Sequence, residues 1–210
     1  MKITVFGASG RTGTQVVRQA CEEGHEVTAV VRDPARLAFA DPRLRVVRAE
    51  LDDAGAIAAA VAGRDAAISA LGPRGRGPTT VCSDGVAAIM TAMRAHGVRR
   101  LVVVSNSGMH VDGEDGAFTR HLVKPLLMRV LAHGYADMRR MEDLVMASEL
   151  DWTVVRPPML TNGPRTGAAR MAFGRNLRGG RTVSRADLAD RILYLLTDGY
   201  AMWAPVAVAA

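Results

Sequence analysis

Short β-branched runs alternate with longer Ala- and Leu-rich stretches through the first half of the chain. That rhythm predicts a parallel sheet flanked by helices. The first strand falls at Lys2 to Phe6, followed by a helix from about Thr12 to Glu23 that Gly24 stops. His25 to Val31 gives a second strand, and Asp33-Pro34 reads as the cap and first position of a short helix. Leu44 to Arg48 is a third strand, Ala54 to Val61 a helix and Ala66 to Ala70 a fourth strand. After the loop Gly72 to Pro78, a helix from about Thr80 to Ala95 ends at Gly97. Arg100 to Ser105 is the fifth strand. Its consecutive apolar residues, Leu101 to Val104, suit a strand buried on both faces.

The second half is less regular. Phe118 to Ala132 and Tyr135 to Ser148 read as two helices with a break at Gly134. Trp152 to Val155 is a sixth strand, stopped by Pro157-Pro158, and the glycine-rich stretch Thr161 to Arg181 reads as irregular. Ser184 caps a helix from Arg185 to Leu196, with Asp187 completing the pattern of a capping box. The tail Ala201 to Ala210 predicts a last edge strand. With no internal repeat and no linker, the expectation is a single domain over residues 1–210. Its fold is α/β, a doubly wound parallel sheet (Rossmann fold) with helices on both faces. The substrate side is expected from roughly residues 106–135 and 157–183.

Composition narrows the function classes. A hydrophobic fraction of 49% and a charged fraction of 23% are ordinary for a globular protein. No apolar run reaches the length of a membrane span, and Met1 to Phe6 runs into a Gly turn without a secretory pattern. Cys21 and Cys82 lie in no metal-ligand spacing and read as small buried apolar residues. A cytoplasmic protein without a metal centre is expected. The net charge of +6 comes almost entirely from scattered arginines, Lys2 and Lys124 being the lysines. With aromatics at 4%, a base-stacking surface is not expected, and the arginines read as solvated charge that also draws an anionic cofactor. The expected partner is a small-molecule acceptor, with neither nucleic acid nor membrane. A monomer is expected, and a dimer is the alternative, because no long apolar seam stands out.

Gly7-Ala8-Ser9-Gly10-Arg11-Thr12-Gly13 carries the most specific chemistry. It follows a predicted strand and opens a predicted helix with the spacing G-x-x-G-x-x-G, a variant of the dinucleotide fingerprint. Such a turn needs positive φ, no side chain where a pyrophosphate approaches, and close helix–strand packing. The helix start then aims N–H groups and its positive dipole end at the phosphates. Gly7, Ser9, Gly10, Arg11, Thr12 and Gly13 are therefore candidate cofactor contacts. About twenty residues on, an acidic residue would favour NAD(H) by binding the ribose hydroxyls. Here Val30-Val31 is followed by Arg32, with Arg36 one helical turn beyond, and guanidinium groups suit a 2′-phosphate. Asp33 reads as a cap. NADP(H) is the preferred cofactor and NAD(H) the alternative.

These residues resemble the atypical short-chain dehydrogenase/reductases. The likeness lies in the Gly7 to Gly13 turn, Val30-Val31-Arg32-Asp33, Leu71-Gly72-Pro73-Arg74 and Pro78-Thr79-Thr80-Val81. It continues in Ala95-His96-Gly97-Val98, Asp151 to Pro158 and Gly163-Pro164-Arg165-Thr166-Gly167. Within that family the chain is similar to the biliverdin-IXβ/flavin reductase type, over nearly its whole length. The similarity is weakest from Val111 to Arg120 and at the C-terminal tail. The resemblance implies that Glu50-Leu51 border the adenine and that Leu71-Gly72, with Arg74 nearby, border the pyrophosphate and ribose. It also implies that Ser105-Asn106-Ser107 and Pro158-Met159 reach the nicotinamide side. Two departures stand out: Met159 and Met138 occupy places where such relatives carry a histidine and a His or Lys, and methionine donates no proton. Tyr135 followed by Arg139 mimics a Tyr-x-x-x-Lys spacing, which places both on one helical face. Tyr135 and Ser105 are the catalytic candidates, and His110, His121 and His133 are further titratable groups in the variable region. The expected activity is hydride transfer from NADPH to a planar acceptor such as a flavin, quinone or linear tetrapyrrole. The alternatives are a non-catalytic NADP(H) sensor and a carbonyl reductase or epimerase of small substrates.

Overall fold

Strands whose residues are apolar on both faces must lie inside a covered sheet, and their order fixes where a ligand crevice opens. The computed structural model describes residues 1–73 and 75–210. Its elements begin β1 (Lys2–Phe6), α1 (Arg11–Glu22), β2 (Glu26–Val31), β3 (Leu44–Arg48), α2 (Ala54–Val61), β4 (Ala66–Ser69), α3 (Val81–Ala95) and β5 (Arg100–Val104). They continue α4 (Lys124–Val130), α5 (Ala132–Met146), β6 (Asp151–Arg156), β7 (Met159–Thr161), β8 (Arg170–Phe173), β9 (Thr182–Ser184), α6 (Arg185–Thr197) and β10 (Ala204–Ala209). Eight strands form the main sheet in the order β3-β2-β1-β4-β5-β6-β10-β8, and β7 pairs with β9 separately. All pairs are parallel except β8 against β10. The chain winds one way from β1 through β2 to β3 and the other way from β4 onward. The crevice at the carboxyl ends of β1 and β4 is therefore the switch point of the sheet.

Each face has its own core. On one, Val16 and Val17 of α1 meet Leu188 and Ile192 of α6 over Ile3, Val5 and Val102. On the other, Ile57, Ile89, Met93, Met141 and Val145 from α2, α3 and α5 cover Phe6, Leu101 and Val103. This is the two-sided covering expected from the sequence. At the amino end of β5 the buried Arg100 donates to the Leu196 carbonyl at 3.0 Å and to Thr153 Oγ1 at 2.8 Å. A cation there meets the negative end of α6, and burial pulls its pKa down to about 10.

Three expectations are corrected. The C-terminal strand is not an edge, because β10 lies between β6 and β8. The stretch expected to be irregular supplies that edge, β8, whose four residues are too short for alternation to be legible. The break between α4 and α5 falls at Leu131, and Gly134 is buried inside α5, where a Cβ would lie 3.1 Å from Pro73 Cγ. Glycine there serves close packing. Pro125 has no N–H to give the carbonyl four residues back, and the turn before it, Thr119–Val123, widens to a π turn.

The start of α3 is closed from another helix. Asp137 of α5, fully buried, accepts from the backbone of Cys82 at 2.9 Å and of Ser83 at 3.0 Å, and from Ser83 Oγ at 2.6 Å. Asp137→Ala removes all of these acceptors and leaves buried donors unpaired. We expect a loss of about 2–3 kcal/mol in urea unfolding. A midpoint equal to wild type would show that this cap contributes nothing.

Candidate functional site

Close approach of backbone governs the turn after β1. Gly7 has φ 72°, and a Cβ on it would stand 2.7 Å from the Ala70 carbonyl oxygen. A Cβ on Gly13 would stand 2.2 Å from the Gly7 oxygen, so α1 packs on β1 only with glycine there. Gly10 N donates to Gly7 O at 2.9 Å, Thr14 N to Gly10 O at 2.8 Å and Thr14 Oγ1 to Ala8 O at 3.1 Å, which closes the turn. Gly10 occupies the cap of α1 and makes no side-chain cap bond. Asp53 caps α2, Asp137 closes α3 and Ser184 caps α6, while the Asp187 carboxylate accepts from Ser184 Oγ and from the Thr166 and Gly167 backbone in place of the Ser184 N–H that a capping box would use. The first turn of α1 thus keeps its N–H groups and positive end for an outside anion. Ser9 and Thr12 are half-buried in this turn, and Arg11 is exposed.

Arg32, Glu50 and Leu51 come together in one cleft of about 400 Å³, completed by Asp52, Val81 and Asp84. Arg36 is exposed on the 3-10 turn Pro34–Arg36 and does not line that cleft. Asp33 caps the same turn, accepting from Ala35 N at 3.1 Å. Gly85 of α3 was not singled out from the sequence, yet it brings two predicted positions together. A Cβ there would lie 2.5 Å from Leu71 Cδ1 and 3.1 Å from Leu51 Cδ1. The available signal was a glycine inside a helical pattern. Gly72 is exposed beside Leu71, while Arg74 lies outside the described residues. Arg185 is a second addition. Its guanidinium donates to Asn162 Oδ1 at 2.7 Å and to Thr161 O at 3.1 Å, and its pKa falls through burial and then through the charge of Arg11. Two arginines therefore share a field next to the glycine turn. A larger hollow of about 470 Å³, lined by Glu114, Arg170–Phe173 and Arg175–Arg178, holds none of the predicted cofactor or catalytic residues and falls within the stretches 106–135 and 157–183 expected to build the substrate side.

At the carboxyl ends of β5 and β6 the catalytic expectations change. Ser105 is buried, and its hydroxyl donates to Glu142 Oε1 at 2.5 Å, so it anchors a carboxylate in place of facing a ligand. Tyr135 is also buried. Its hydroxyl donates to Asn106 Oδ1 at 3.2 Å, and burial raises its pKa, making it a weaker acid. Arg139 turns to the Met109 carbonyl at 3.0 Å, so the Tyr-x-x-x-Arg spacing does not build a tyrosine–cation pair. Asn106 Oδ1 also accepts from Gly108 N at 2.7 Å, and Ser107 N donates to Pro157 O at 2.9 Å. Pro158 is half-buried, Met159 is exposed at the start of β7, and Met138 packs against the second core.

Glu142 is a third residue to which sequence reasoning gave no role. Only 2% exposed, it is held by Ser105, by His110 Nε2 at 3.1 Å and by Arg156 Nη2 at 2.5 Å. The signal was Arg156 at the end of a buried strand, since an interior guanidinium needs a carboxylate. Burial works against ionisation of Glu142. The hydrogen bonds from His110, Arg156 and Ser105 outweigh it and hold the carboxyl below its ordinary 4.5. A depressed native pKa stabilises the fold above the unfolded value and loses that contribution as pH falls through the native one. We therefore expect melting temperature to drop on acidification below pH 4.5, with a shallower slope in Glu142→Gln. Parallel melting curves of the two proteins across that window would refute the assignment.

The chain is 32% identical over 177 residues to an uncharacterised chloroplastic protein of Arabidopsis thaliana, covering 79% of this chain and 61% of that relative. It is 30% identical to the uncharacterised sugar epimerase YhfK of Bacillus subtilis, covering 94% of this chain and 89% of the relative. A short-chain dehydrogenase/reductase of Veillonella parvula, solved in complex with NADP, superposes with a TM-score of 0.80 at 18% identity, over 100% of this chain and 94% of that one. The glycine turn, the switch point and the match of residues 7–199 to the family described as NAD(P)H-binding agree, and the chain belongs to that Rossmann-type family.

Proposed function

We propose that the protein is an NADPH-dependent reductase that passes hydride to a planar acceptor such as a flavin, quinone or linear tetrapyrrole. Proteins similar to this chain carry names of both reductase and epimerase activities, and the choice between them rests on the acceptor end. The observation that carries the reading is that the Ser105 and Tyr135 hydroxyls are both engaged inside the protein. Epimerisation or carbonyl reduction needs a side chain poised to move a proton at the reacting carbon or oxygen. Reduction of a planar conjugated acceptor needs mainly stacking and exclusion of side reactions, and water supplies the proton. NADPH, when bound, supplies the hydride.

In this reading the α1 start holds the pyrophosphate, and Leu51 and Leu71 wall the adenosine side. Arg32 faces the 2′-phosphate, and the Arg11–Arg185 pair adds positive field nearby. Asp33 supports the NADP(H) preference, because its carboxylate is already engaged by Ala35 N. The exposed Met159 offers the acceptor an adaptable apolar surface. The buried, unpaired state of Cys21 and Cys82 fits a reducing, cytoplasmic setting.

Mixing purified protein with NADPH and flavin mononucleotide, or with a soluble quinone, should give NADPH oxidation above the uncatalysed rate. Calorimetric NADPH binding with no oxidation of any acceptor would replace this reading with that of a dinucleotide sensor. Tyr135→Phe should stay within about twofold of wild-type turnover, whereas loss of a general acid costs about 100-fold or more. Arg32→Glu should weaken NADPH by about tenfold or more and NADH much less, since a charge-assisted phosphate contact becomes a repulsion. Equal weakening of both cofactors would remove Arg32 from the phosphate site.

A further inference from the structure

Residues 117–130 form one continuous helical run that packs against Ser107–Met109, the segment following β5. Its inner side is firmly held: buried Lys124 pairs with Asp115 at 2.6 Å and donates to the His110 carbonyl. Its outer side is apolar. Phe118, Leu122, Leu126 and Val130 follow one another at four-residue steps and are 68%, 56%, 59% and 43% exposed. Such steps drift about 40° each round an α-helix. The wider π turn at Thr119–Val123 trims that drift and keeps Phe118 in line with Leu122. The other large exposed apolar residues do not recur at such regular four-residue steps.

Charge decides what covers this stripe. The exposed polar neighbours on the same face are His121, Arg129 and His133, and no acidic residue occurs between Gly116 and Ala136. A second copy packed by two-fold symmetry would set Arg129 and its apolar row against their own copies with no carboxylate from 117–135 to answer the guanidinium. An apolar row flanked by basic side chains is the composition of helices that lie in a bilayer interface, and the net charge of +6 favours an anionic one. No helix among the described residues is long and apolar enough to cross a membrane, and a helix lying in the interface plane needs no such span.

We propose that this face seats the protein on an anionic membrane surface. Phe118, Leu122, Leu126 and Val130 enter the acyl boundary, while His121, Arg129 and His133 lie among the headgroups. Seating is peripheral and reversible, because one short helix buries little area. The inference stands apart from the proposed hydride transfer, since its test contains no cofactor.

The test is sedimentation of the full chain with vesicles of phosphatidylcholine plus phosphatidylglycerol, against phosphatidylcholine alone. Binding should be at least about tenfold stronger on the anionic vesicles and should weaken with added salt. The pair Leu122→Ser and Leu126→Ser should lower it at least about tenfold at unchanged melting temperature, because both side chains are exposed. Arg129→Ala should lower it about fivefold. Failure of wild type to pellet, or equal pelleting by the serine variant, overturns the proposal. A dimer in analytical ultracentrifugation that Leu126→Ser dissociates also overturns it, in favour of a second copy.

Discussion

A side chain on Gly13 would collide with the Gly7 carbonyl, and so the first helix can lie on the first strand only where both positions are bare. That approach sets the direction of α1 and places its N-terminus beside the crevice between β1 and β4, where the sheet changes winding sense. Everything at the cofactor end follows from it. Asp53, Asp137 and Ser184 close other helix starts with oxygen acceptors, whereas Gly10 brings none. Gly85 repeats the device on α3, its missing side chain letting Leu51 and Leu71 settle together against that helix.

The opposite end of the site is built on a buried charge. Arg156 ends a strand whose interior is apolar, and Glu142 meets it from α5 with Ser105 and His110 as further donors. Removing one member of such a group leaves an uncompensated charge, so the cluster fixes α5 against β5 and β6. Its chemical consequence is that Ser105 is committed. Tyr135 is committed likewise through Asn106, whose carbonyl also holds the Gly108 amide. The segment after β5 is thereby ordered from beneath, with the Ser105 hydroxyl and the Asn106 side-chain oxygen engaged within the protein.

What was legible in the sequence was what depends on local pattern. β1, β3 and α2 fall at their expected bounds, and the cap functions of Asp33 and Ser184 are as read. Each rests on a period or on one residue's own backbone chemistry. The glycine turn was legible because both its neighbours in sequence are its neighbours in space. The interior place of β10 in the sheet and the roles of Asp137, Glu142 and Gly85 were not legible, because each takes its meaning from a residue dozens of positions away. Ser105 illustrates the point: its place at a strand end was read correctly, but only the approach of α5 decides which way its hydroxyl faces. The helix 117–130 was assigned its type but not its surface. Which side faces outward depends on Lys124 being drawn inward to Asp115.

These facts combine into an asymmetry that bears on chemistry. The dinucleotide end presents unpaired backbone donors and guanidinium groups, a site organised for a polyanion before it arrives. The carboxyl ends of β5 and β6 present the exposed Met159 and the Ser105 and Tyr135 hydroxyls, both already bonded within the protein. An enzyme that polarises a carbonyl or strips a proton needs the reverse at that end, with side chains held in reserve for the reacting atoms. A site that is demanding toward one ligand and permissive toward the other suits reactions in which both ligands carry their own chemistry. Under the proposed hydride transfer, the protein's part is to hold two flat rings within reach of each other.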